Sequence, residues 1–149
     1  MCKQFVNTVD MTTSVIYFAY IRKPPRVSEA EWEVMQVLWE SSPLGATEIA
    51  DEVCKRMRWH PKTVKTLLGR LVKKGALRYR EEGNRYLYQP VYSRDRYVAA
   101  ESRSFVQRVF GGSATPAVVH FVETMKLSDD DLQELRAILD RKQKEEEKR

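Results

Sequence analysis

The sequence predicts a mainly α-helical fold: a winged helix-turn-helix DNA-binding domain followed by a C-terminal three-helix dimerisation domain. Three observations carry this. The stretch from Trp59 to Gly75 scans as one helix with an apolar stripe on one side and, on the other, a stripe of four cations and no acid. Directly after it the apolar period changes from 3.6 to about 2, as for a hairpin. Beyond Pro90 the chain returns to helical periodicity for three further segments.

The 149 residues and 42% hydrophobic content can build a packed core. Net charge is +5, which says little by itself. Its distribution says more: Lys55 to Arg85 holds eleven Lys/Arg and two acids, whereas Ser128 to Arg149 holds six basic and eight acidic residues. Positive charge is therefore gathered around residues 59–75. Cys2 and Cys54 are far apart and form no C-x-x-C pair, so a thiolate metal site is not expected and a reducing compartment is. Val15–Ile21, the longest apolar run, is far short of the roughly 20 residues of a membrane span. The chain reads as soluble and cytoplasmic, with no membrane insertion.

Residues 1–26 read as a poorly ordered N-terminal extension ending in K-P-P-R, with an added strand at Ser14–Ile21 as the competing reading. The DNA-binding domain spans 27–91. Ser28 and Glu31 form a capping box for a first helix with Trp32, Met35, Leu38 and Trp39 inward. Ser41-Ser42-Pro43 stops it. Thr47 is expected to cap a second helix with Ile49, Ala50, Val53, Cys54 and Met57 inward. Arg58-Trp59-His60 turns the chain into the basic helix. There Val64, Leu67, Leu68, Leu71 and Val72 face the core, Pro61 suits the first turn, and Gly75 suits the position past the end. Two helices joined by a tight turn, the second basic, are a helix-turn-helix. Strands are expected at Ala76–Arg80 and Arg85–Tyr88 around a Glu81–Asn84 turn. Arg78, Arg80 and Arg85 alternate with Leu77, Tyr79, Tyr86 and Tyr88, so one face should pack while the other offers guanidiniums to DNA.

Residues 92–149 form the helical dimerisation domain with a charged tail. Ser93–Phe110 carries Tyr97, Phe105, Val109 and Phe110 on its apolar side. Pro116–Met125 carries Val118, Phe121, Val122 and Met125, and the Ser128-capped final helix carries Leu132, Leu135 and Leu139. Three thin helices cannot bury these stripes among themselves, so a second copy is expected to cover them.

Thr63, Lys65 and Thr66 are the candidates for base-edge contact, and Lys62, Arg70, Lys73 and the wing arginines for phosphate. A basic outer face without acids differs from a solvated helix, where mixed signs pair at i,i+4. His120, between Val119 and Phe121, reads as a packed histidine. No catalytic triad, carboxylate pair or phosphate loop is visible, so no enzyme and no cofactor are expected.

V-S-E-A-E-W-E-V-M-Q-V-L-W (27–39), W-H-P-K-T-V-K-T-L-L-G-R-L-V-K-K-G (59–75), R-Y-L-Y-x-P (85–90) and E-S-R-S-F-V-Q-R-V-F-G-G (101–112) together resemble the BlaI/MecI/CopY penicillinase-repressor family. The resemblance covers roughly residues 27 to 140. It implies a homodimeric repressor on a dyad operator, many members controlling β-lactam resistance genes. It also implies a membrane sensor protease leading to cleavage before a Phe, here the Ser104–Phe105 bond. Ser104 stands where the best-known members carry Asn. His60 stands at the usual Ser cap, and its imidazole is expected to cap the helix or reach a phosphate. With no cysteine after Cys54, the copper-sensing branch is disfavoured.

Overall fold

The computed structural model describes residues 22–149. Most of the predicted N-terminal extension, with its alternative strand at Ser14–Ile21, lies outside them. The described residues contain six helices and a three-stranded antiparallel sheet: α1 (Glu29–Glu40), β1 (Leu44–Gly45), α2 (Ala46–Met57), α3 (Pro61–Lys74), β2 (Leu77–Glu82), β3 (Arg85–Pro90), α4 (Arg94–Phe110), α5 (Ala114–Thr124) and α6 (Asp129–Glu147). They fall into two compact units, one ending at Glu101 and the other running Ser102–Arg149.

In the first unit, α1 begins at the predicted capping box. The Ser28 amide donates to Glu31 Oε2 at 2.8 Å, and the Glu31 amide donates to Ser28 Oγ at 3.2 Å. Val34, Met35 and Leu38 of α1, Ile49 and Val53 of α2, and Val64, Leu68 and Leu71 of α3 are all at most 2% exposed and form the core. These are the i, i+3, i+4, i+7 positions of their helices, so periodicity alone located most of the core. Ala76, Leu77, Tyr92 and Tyr97 extend it.

Three local expectations need correction. Thr47 does not cap α2: Gly45 does, and its amide donates to Glu48 Oε2 at 2.7 Å. The reason is that Leu44–Gly45 is already engaged as β1, paired with Tyr88 and Leu87 of β3, so the chain enters the helix earlier. Met57 is not inward, being 38% exposed at the helix end. The wing strands run longer than expected, to Glu82 and Pro90, around a two-residue loop whose first residue, Gly83, has φ +62. A positive φ at that position matches the twist of a tight hairpin and lets pairing continue to Glu82↔Arg85.

An aromatic cluster closes the unit. Trp32 and Trp39 meet edge-to-face at 5.0 Å, and Trp39 and Tyr92 flank Tyr97 at 5.4 and 6.0 Å. Trp39 Nε1 donates to the Tyr92 carbonyl at 3.1 Å. Tyr97, grouped with the dimerisation residues by its place on the apolar side of its helix, is thus 1% exposed inside the first unit. Its stripe is shared: the start of α4 serves this cluster, and only the remainder belongs to the second unit. The buried hydroxyl of Tyr97 has no hydrogen-bond partner among the described residues, and burial raises its pKa well above the usual phenol value.

In the second unit Phe105 stacks on Phe121 at 6.0 Å, with Phe110 against both at 5.9 and 6.4 Å. Ser128 and Asp131 form a reciprocal capping box for α6. Ala117 is the one fully buried hydrophobic residue described in this unit.

Candidate nucleic-acid interface

The α3 helix owes its position to its two ends. His60 is the N-cap, its Nδ1 accepting from the Lys62 amide at 3.1 Å. Of the two roles expected for this imidazole, capping is the one the structure displays. At the other end Gly75 takes φ +80, its amide donates to the Val72 carbonyl at 3.0 Å, and the Ala76 amide donates to the Leu71 carbonyl at 2.9 Å. That paired bonding ends a helix only where a residue can adopt left-handed geometry. The turn before α3 is made by Arg58, also left-handed at φ 55.

Between these ends the two stripes separate cleanly. Val64, Leu67, Leu68 and Leu71 are buried, while Lys62, Thr63, Lys65, Thr66, Gly69, Arg70 and Lys73 are all exposed. Among the described residues no carboxylate oxygen lies within 4.0 Å of Lys62, Lys65, Arg70 or Lys73. The helix therefore presents four cations whose charge is not neutralised by the fold. Thr66 Oγ1 donates to the Lys62 carbonyl at 3.0 Å, which uses its proton and leaves its methyl group and lone pairs for a partner.

The wing differs from expectation. Cross-strand register places Tyr79, Tyr86 and Tyr88 on one face and Arg78, Arg80, Arg85 and Leu87 on the other. Leu87 is 5% exposed, whereas Tyr79 and Tyr86 are 52% and 48% exposed and meet at 4.8 Å. Burial is thus divided: Leu77 and Tyr88 pack with the core from the tyrosine face, and Leu87 is buried on the arginine face. Arg80 and Arg85 are exposed and Arg78 is half-buried, and all three have partners: Arg80 meets Glu82 at 3.6 Å and Arg85 meets Glu48 at 3.7 Å. With the Gln89 amide flipped, Arg78 Nε donates to it at 2.7 Å.

Two residues here were not singled out in the sequence. Glu48 caps α2 and reaches Arg85. Lys74 looks like one more α3 cation but turns inward, its ammonium 2.6 Å from Glu31 Oε2 and 3.3 Å from the Arg26 carbonyl. Glu31 is 2% exposed. Burial alone would raise its pKa, but the hydrogen bonds from Lys74 and Ser28 and the Lys74 charge outweigh it and hold the carboxyl below its usual value. The spacing of Gly45 and Glu48, like that of Ser28 and Glu31, is the signal that could have located the α2 cap.

Of the remaining site residues, Ser104, Phe105, Phe110, Phe121, Leu132 and Leu135 are half-buried. Val109, Val118, Val122, Met125 and Leu139 are 42–60% exposed. His120 lies 6.2 Å from the Phe110 ring, on an exposed part of α5.

The sequence profile described as Penicillinase repressor matches residues 27–141. A penicillinase repressor of Bacillus licheniformis is 38% identical over 120 residues, 80% of this chain and 94% of that protein. The methicillin resistance regulatory protein MecI of Mammaliicoccus sciuri is 34% identical over 80% of this chain and 98% of its own. The solution structure of the DNA-binding domain of the repressor BlaI covers 52% of this chain and 94% of its own, at 42% identity and a TM-score of 0.46. The chain therefore belongs to the penicillinase repressor family, a family of transcriptional repressors rather than enzymes.

Proposed function

We propose that this protein represses transcription by binding double-stranded DNA as a homodimer on a dyad operator, in the cytoplasm, with target genes of the β-lactam-resistance or a related stress type. The observation that carries the reading is the outer face of α3: Lys62, Lys65, Arg70 and Lys73 are exposed and unneutralised on the second helix of a helix-turn-helix. Such a helix fits the major groove, with Thr63, Lys65 and Thr66 toward base edges and the other cations toward phosphate. His60 at the N-terminal end and Arg78, Arg80 and Arg85 on the wing complete the DNA-facing set. The named roles of relatives, penicillinase repressor and methicillin resistance regulator, support the gene class.

Self-association is the second part of the reading. Val109, Val118, Val122, Met125 and Leu139 expose apolar surface from three helices that bury little of their own. With Phe105, Phe110, Phe121, Leu132 and Leu135 beneath them, they supply the surface a second copy would cover. Inactivation by a membrane sensor protease at Ser104–Phe105 completes the reading. That bond lies within α4 with Phe105 packed on Phe121, so cleavage requires the helix to open locally.

Binding to the promoter duplex upstream of its own gene should fall steeply with salt. Lys65→Ala should weaken that binding by about 1–3 kcal/mol and random-DNA binding by less, measured by fluorescence anisotropy. Equal losses on both duplexes would remove Lys65 from the specificity set, and no retention of the wild type at low salt would remove the DNA-binding reading.

A further inference from the structure

The cations of α3 and those of the wing are held differently. The four outer cations of α3 have no carboxylate within 4.0 Å among the described residues, whereas Arg80 and Arg85 each have one. Glu82 is a near neighbour of Arg80 along the same strand, which needs no explanation. Glu48 is not local to Arg85: it reaches the wing from the first turn of α2.

Its orientation is set by a second contact. Glu48 Oε2 accepts from the Gly45 amide at 2.7 Å and stands 3.7 Å from Arg85 Nη1. Gly45 leaves room for the Glu48 carboxylate. A Cβ there would lie 3.1 Å from Glu48 Oε2 and 3.8 Å from Arg85 Nη1. The Ser, Thr, Asp or Asn usual at an N-cap would occupy that space and satisfy the helix with its own oxygen. A glycine cap, a carboxylate three residues on and an arginine from the opposite strand thus form one arrangement.

We propose that Glu48 restrains Arg85 in the free protein and competes with DNA for it: it holds the guanidinium against the start of α2, and a DNA phosphate engages the wing by taking that guanidinium away. This rests on the DNA-binding reading above. Arg85 and Glu48 side chains are 59% and 50% exposed, so the pair is weak and readily exchanged. A buried, fully bonded pair would resist that exchange. The exchange also has a salt signature. When phosphate takes Arg85, the attraction between Arg85 and Glu48 is lost, and because salt screens that attraction too, part of the salt dependence of DNA binding is offset.

The test compares wild type, Glu48→Gln, Arg85→Gln and the double variant on a labelled random-sequence DNA duplex over a range of salt. Phosphate contact is sequence-independent, so no operator is needed. In Glu48→Gln the new amide oxygen can still accept from Gly45, so the fold should hold, with an unchanged unfolding midpoint. Glu48→Gln should bind about two- to five-fold tighter at low salt. Its log–log salt slope should steepen, because no screened intramolecular pair offsets the salt dependence of the DNA contact. In the Arg85→Gln background the same substitution should gain nothing. Glu52→Gln, which removes an acid paired with Lys55 on the same helix, should leave the slope unchanged. An equal gain with Arg85 absent would show a general field effect and overturn the proposal, as would no gain with Arg85 present. Failure of the wild type to bind at low salt would instead overturn the DNA-binding reading.

Discussion

Lys73 and Lys74 are adjacent and chemically identical, yet Lys73 is exposed on the outer face of α3 and Lys74 is bonded to the buried Glu31. A helix turns 100° per residue, so one residue is enough to move a cation from the outer stripe to the edge of the core. The sequence places both in the basic cluster because composition carries no direction. Glu31 joins three parts: the Ser28 cap, the end of α3 and, through Lys74, the Arg26 carbonyl. Glu31→Gln should lower stability by about 1–2 kcal/mol at pH 7, because a charge-assisted hydrogen bond is lost while Lys74 regains water. The folded-state pKa of Glu31 is lowered, so its contribution is present above the ordinary carboxylate range and is lost as pH falls through the folded value. The difference between variant and wild type in urea midpoints should therefore shrink toward zero as pH drops below about 4. A deficit that persists undiminished in acid would mean that packing, and not charge, is what Glu31 supplies.

At the scale of elements, α3 was legible almost to the residue. Its caps, apolar stripe and basic stripe are all local patterns, and each appears where the spacing placed it. Gly69 and Gly75 test how far local rules extend. Gly69 sits mid-helix on the exposed face with nothing within 4 Å of an added Cβ. Gly69→Ala should therefore stabilise the protein by about 0.5–1 kcal/mol, through backbone entropy alone. Gly75 has equally open surroundings, but its φ is +80. Gly75→Ala should cost about 1 kcal/mol. Opposite signs from two glycines, one within the helix and one at its end, read from thermal unfolding, would separate conformation from space; the same sign for both would defeat this account. The wing was less legible. Alternation assigned its two faces correctly, but which face packs depends on how the sheet lies on the helices. Leu77 and Tyr88 pack with the core from the expected face near the base of the wing, Leu87 is buried from the other, and Tyr79 and Tyr86 are left exposed. The two-residue β1 was missed because Leu44–Gly45 is too short to show any period.

For the whole molecule, the two units differ in how much they bury. The first has a contiguous core drawn from three helices and the sheet, whereas α6 of the second contains no buried residue. If a second copy covers the second unit, a charge on its apolar surface should separate the copies. Val122→Asp, at a position 42% exposed, should shift the protein from dimer to monomer in light scattering, with the first unit folded as before. Loss of the second half-site contact should then weaken dyad-operator binding by more than about tenfold. A variant that remains dimeric with unchanged binding would place the interface elsewhere. Tyr97 marks the limit of a stripe argument at this scale: apolar spacing along α4 is continuous, but its first turns serve the Trp32–Trp39 cluster.

What the sequence determined by itself is most of what is set within a few residues: the caps at Ser28 and Ser128, the two-sided α3, its glycine stop, the hairpin and the family pattern that spans them. These follow from short-range periodicity and cap chemistry, which need no knowledge of neighbours. Only the tertiary structure decided which cations are neutralised. Glu31 meets Lys74, and Glu48 meets Arg85, across elements that the chain brings together only on folding. Charge along the chain is additive, whereas charge at a surface depends on which carboxylate stands within a few ångströms. The stripe from Lys62 to Lys73 keeps its charge because no described acid reaches it.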